Sequence, residues 1–151
     1  MKNNTLTFLR VLVIVTLFLL VVQYELGMAV NLGPTLPKLT AIAVTSTQFR
    51  DYLNKAGVMA VIHATLGSIL AIGGLVNLVA AQYSKKTSVR IMGVLTFLTT
   101  LLAAGLGASY VASGFQNDGL SHGMATNFIL SFVFYFIELY ALRPESYPQA
   151  G

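Results

Sequence analysis

Three long intervals of this chain, each of 19 residues or more, carry no charged side chain: residues 56–84, 91–117 and 119–137. Placing one charge at the centre of a bilayer costs about 2.5–3.5 kcal/mol or more. A helix needs about 20 predominantly apolar residues to cross the hydrocarbon core. Intervals this long and this free of charge therefore predict membrane-spanning helices, and VLVIVTLFLLVVQY, residues 11–24, supplies a fourth. Composition agrees, since 9% of residues are charged and 56% hydrophobic, where a soluble domain carries about 25% charged residues.

The spans are expected near residues 7–30, 57–81, 91–113 and 120–142, within a single transmembrane domain over residues 1–151. The expected fold is all-α, a polytopic transmembrane four-helix bundle. The runs are continuous, whereas barrel strands would alternate apolar and polar residues over about ten positions. What remains is one substantial loop, residues 31–56, a basic turn at 84–90, a short turn at 114–119 and a brief tail. MKNNTLTFLR before the first run has the basic start of a secretory signal. The apolar character continues past Glu25 to Val30, so it is read as a span instead.

There is no cysteine, which removes disulfides, thiol nucleophiles and Cys-based zinc sites. Lys2, Arg10, Lys85, Lys86, Arg90 and Arg143 fall on one side of the expected membrane, and Lys38, Arg50 and Lys55 on the other. Six against three predicts a multi-pass protein of the cell membrane with both termini in the cytoplasm. The expected partners are the lipid bilayer and either other membrane proteins or further copies of the chain. Nucleic acid is not expected, because no soluble part exists to carry a basic patch.

RVLVIVTLFLLVVQYELGMAV, from Arg10, runs in parallel with RIMGVLTFLTTLLAAGLGASY, from Arg90, and each is followed by a loop and a span opening on histidine, His63 or His122. Read as an internal repeat, the two hairpins would pack about a pseudo-two-fold axis along the membrane normal. At 1.5 Å per residue, the histidines would then share nearly one depth and face one another. The other reading of this match is the generic likeness of any two Leu/Val/Gly spans.

Intramembrane ionisable groups are the natural candidates for a site. His63 shares a helical face with Gly67, Leu70 and Gly74. Gly67 and Gly107 would leave a flat recess beside the histidines, as an axially ligated macrocycle requires; equally, small residues at four-residue spacing let helices approach. For His63 the structural alternative is a neutral imidazole bonded to a neighbouring helix. Glu25 is expected at the depth of His63 and within its reach, and a Glu with two His could hold a divalent metal. Glu138 is read as structural, satisfied by Arg143 or water, and Thr96, Thr99, Thr100, Ser109 and Asn77 as interhelical contacts.

VIHATLG opening the second span, SHGMAT opening the fourth, and QYELGMAVNLGPTLP resemble half of a haem A synthase. That family is built from four-helix units with haem-ligating histidines on alternate helices. Its Glu-x-x-His-Arg pattern is not matched, because Ala60 and Ala64 stand at those positions, and its paired loop cysteines are absent. The resemblance implies a haem-ligand role for His63 and His122 and does not extend to haem oxidation. The LGMAVNL and HATLG stretches also resemble small four-span membrane proteins of no assigned function. Two readings follow. One is a protein holding haem b between spans two and four, with His63 and His122 as axial metal ligands and Gly67 and Gly107 beside them. The other is a non-catalytic accessory or assembly subunit without a cofactor. No catalytic residue is assigned in either.

Overall fold

A computed structural model describes residues 3–33, 35–39 and 45–143. Five helices follow one another: α1 (Asn3–Asn31), α2 (Ser46–Ala56), α3 (Val58–Gln82), α4 (Thr87–Ala112) and α5 (Asp118–Ala141). All but α2 are long and apolar enough to cross a membrane, and the chain is an all-α, four-span integral membrane protein. The expected spans coincide with α1, α3, α4 and α5 to within a few residues. The segment expected as a loop holds α2, which starts at a capping box: Thr45 accepts from Gln48 N at 3.2 Å, and the Gln48 side chain accepts from Thr45 N at 3.0 Å. Such a pair satisfies two orphan amides at once and fixes where a helix begins.

The four long helices form a ring in the order α1, α3, α4, α5, so α1 stands diagonal to α4 and α3 to α5. The α4/α5 interface is the broadest of the four and α1/α5 the narrowest. Glycine sets the closest approach of α3 and α4, since a Cβ at Gly93 would lie 2.6 Å from Ala81 Cβ. No side chain fits between backbones this close.

The two ends of the bundle are built differently. At the basic end, α5 terminates against cations from other segments: Arg10 donates to Leu142 O, and Lys86 Nζ donates to Ala141 O and Arg143 O, each at 3.1 Å. Cations suit the unsatisfied carbonyls and negative dipole end of a helix C-terminus. At the opposite end α2 lies over the bundle and buries Tyr52 and Leu53. Tyr52 donates to Pro37 O and stacks on Phe115, which meets Tyr110 edge-on at 5.5 Å. Leu36 N bonds Gly114 O and Leu39 N bonds Ala112 O, both at 3.0 Å. Gly114 has φ +77°, and a Cβ there would lie against Leu36 O, so only glycine fits that turn.

Candidate functional site

Beneath α2 the four spans part around a cavity of about 470 Å³, a size ordinary for small-molecule sites. Small residues make the room: Gly27 from α1, Ala64 and Gly67 from α3, Ala103 and Gly107 from α4, Ala125 from α5. Phe49, Leu53 and Phe115 close one end, and Thr100 and Ser131 form the other. Tyr24, Met28, Ser68, Ile72, Ala104 and Ala108 also line it and are exposed. On spanning helices such exposure opens the cavity sideways to lipid.

Two polar side chains, Gln23 and His63, meet within this mostly apolar lining. Gln23 Nε2 lies 3.1 Å from His63 O and 3.3 Å from His63 Nε2. A backbone carbonyl only accepts, so the group facing it must be the amide NH2, which fixes the orientation of Gln23. That amide donates its second hydrogen to Nε2. In the neutral ring the proton then sits on Nδ1. Both Nδ1 of His63 and Oε1 of Gln23 are buried without a partner. The pair therefore holds one unused donor and one unused acceptor, a costly arrangement unless something fills it.

The helical repeat explains which residues of α1 take part. Gln23 and Gly27 are four residues apart and share the face turned to α3. Gly27 gives the imidazole its room, since a Cβ there would lie 3.0 Å from His63 Cε1. Glu25, two residues from each, turns away from that face and is exposed. The expected pairing of Glu25 with His63 is not formed; Gln23 takes that place.

His122 is exposed and does not line the cavity. The glycine contacts show why. Gly27 meets the His63 ring, whereas Gly107, its counterpart in the sequence comparison, meets Met124 Sδ, 3.2 Å from a built Cβ. Residue 124, two beyond His122, is thus the one turned to α4. Two residues are about 200° of helix, which carries His122 outward. Gly67 lies beneath Gln23 Nε2, 3.2 Å from a built Cβ, so both expected recesses hold protein side chains. Among the described residues no three His, Cys, Asp or Glu side chains gather to share a metal ion. This arrangement does not fit a haem held between His63 and His122, because His122 faces away and His63 Nε2 is taken by Gln23.

A second polar group lies toward the basic end. Glu138 is fully buried and accepts from Asn77 Nδ2 at 2.9 Å. Arg143, expected as its partner, instead stacks over the Tyr140 ring at 4.6 Å. Thr96, Thr99, Thr100 and Ser131 are buried nearby as interhelical contacts, with Ser131 Oγ donating to Thr99 Oγ1 at 2.8 Å.

No family model, curated protein or solved structure matches the chain.

Proposed function

We propose that this integral membrane protein takes a lipid-soluble ligand into the cavity and holds its polar head at Gln23 and His63. The observation that carries the reading is the unpartnered pair, Nδ1–H of His63 and Oε1 of Gln23, buried in the wall of an apolar chamber open toward lipid. A complementary head offers an acceptor to Nδ1–H and a donor to Oε1. A neutral hydroxyl-bearing head on a long apolar body, as in a fatty alcohol, an un-ionised fatty acid or a quinol, has that chemistry. The uneven division of basic residues supports a cell-membrane orientation with cytoplasmic termini, which sets the cavity in the outer leaflet.

The test is photolabelling in nanodiscs with a long-chain fatty alcohol carrying a diazirine. Adducts are expected on cavity residues such as Ala64, Gly67 and Met124, suppressed by unlabelled alcohol and reduced at least five-fold in Gln23→Leu and His63→Leu. Adducts spread over Phe18, Leu101 and Phe136, which are exposed on the outside of the spans, at equal yield in the variants would overturn the proposal.

A second reading, an accessory subunit of a larger membrane complex, is favoured by Glu25. A carboxylate exposed on a spanning helix suits a neighbouring helix that offers it a donor. Glu25→Gln should then weaken co-purification of that neighbour, and unchanged recovery would remove this reading.

A further inference from the structure

The second polar group contains a mismatch that hydrogen positions can resolve. Asn77 and Glu138 are both wholly inaccessible to solvent. Asn77 Nδ2 donates to one carboxyl oxygen, Oε2, at 2.9 Å. The other ends of the two groups, Asn77 Oδ1 and Glu138 Oε1, are buried and have no partner. An amide oxygen and an ionised carboxylate oxygen can only accept. Two buried acceptors without a donor in a low-dielectric interior each forfeit their bonds to water. Turning the Asn77 amide over does not help, because Oδ1 would then lie 2.9 Å from Oε2, acceptor against acceptor.

One proton removes the deficit. On Oε1 it converts the carboxylate into a carboxylic acid whose O–H points toward Asn77 Oδ1, beside the existing Nδ2–H bond to Oε2. Acid and amide then form a paired, doubly hydrogen-bonded ring and both unpartnered oxygens are used. Among the described residues, three cations at this end of the bundle are engaged elsewhere. Arg10 of α1 donates to Leu142 O, Lys86 before α4 donates to Ala141 O and Arg143 O, and Arg143 lies over Tyr140. From α3 the group facing Glu138 is Asn77. From α4 it is uncharged Thr96, within 3.5 Å of Asn77 Nδ2, and on α5 itself it is the Tyr135 phenol.

We infer that Glu138, paired with Asn77, is an intramembrane proton-binding site that carries its proton at neutral pH. Tyr135, three residues before Glu138 on α5, is buried and its hydroxyl has no hydrogen-bond partner. Thr100 and Ser131, 3.3 Å apart, belong to the floor of the cavity. The inference stands on the Asn77–Glu138 geometry and is independent of what the cavity holds.

Infrared spectroscopy of the protein in nanodiscs tests it. At neutral pH the wild type should show the C=O stretch of an un-ionised carboxylic acid, absent from Glu138→Gln and unchanged by replacing K⁺ with Na⁺. Glu138→Gln should fold as well as wild type, because a glutamine amide reproduces the paired ring. Independently of that variant, dicyclohexylcarbodiimide, which attacks un-ionised carboxyls in apolar surroundings, should modify wild-type Glu138 as located by peptide mass spectrometry. Absence of both the acid band and the adduct would overturn the inference. Loss of the band on adding Na⁺ at fixed pH would also overturn it and assign the site to an alkali cation.

Discussion

Gly27→Ala adds one methyl group at the point where α1 makes room for His63. The new Cβ would lie 3.0 Å from Cε1, 3.6 Å from Nδ1 and 3.9 Å from Nε2, whereas carbon atoms rest at about 3.5–4.0 Å. The imidazole must withdraw from α1 by about half an ångström. Gln23 sits on the same helix, so the withdrawal lengthens the Gln23–His63 Nε2 contact, already 3.3 Å, beyond useful range. One lost hydrogen bond costs about 1 kcal/mol and overpacking about 1–3 kcal/mol. Replacing a helical glycine returns up to about 1 kcal/mol. The net expectation is a loss of about 1–3 kcal/mol in stability. With Nε2 released, the proton is no longer pinned to Nδ1, and photolabelling of the cavity should fall roughly five-fold, equivalent to about 1 kcal/mol. Gly73→Ala is the matched control, since a Cβ there meets nothing within 4 Å. Thermal unfolding in detergent and the yield of cavity adducts should separate the two variants. Identical behaviour of Gly27→Ala and Gly73→Ala in both assays would refute the placement of His63 against α1.

Gly93→Ala drives a methyl group to 2.6 Å from Ala81 Cβ, so α3 and α4 must part and stability should fall by about 1–3 kcal/mol, read by thermal unfolding. Tyr52→Phe removes the donor to Pro37 O, and the unpaired contact should cost about 1 kcal/mol and appear as faster hydrogen exchange in α2 with the four spans unchanged. Because the chain has no cysteine, single cysteines at Thr45 and Thr87, both exposed, report orientation directly. An impermeant thiol reagent applied to intact cells should modify the first and spare the second.

The spans were legible in the sequence because bilayer crossing is a property of single segments, decided by length and by the absence of charge. α2 was legible in principle: Thr45 and Gln48 have capping-box spacing, and Phe49, Tyr52 and Leu53 share a face, but a short polar helix between two strong spans is easily read as loop. The site was legible only in part, because partners are chosen by how helices rotate against one another. His63 stands out in any reading of the second span. Its contact with Gln23 in place of Glu25 depends on which face of α1 meets α3, and a difference of two residues turns a side chain from the cavity to the lipid. The same two-residue step separates Met124, which meets Gly107, from His122. Glu138 is an ordinary interfacial residue in the sequence, and only the convergence of α3, α4 and α5 seals it against Asn77.

The central claim is that His63 presents an Nδ1–H to a ligand in the cavity. Nitrogen-15 magnetic resonance of histidine-labelled protein in nanodiscs reads it directly, with only two histidines in the chain and exposed His122 as the internal reference. The account predicts a neutral His63 with its proton on Nδ1, a resonance that moves when a long-chain fatty alcohol is added, and loss of that response in Gln23→Leu. A proton on Nε2, or an Nδ1 resonance indifferent to the alcohol, would contradict it.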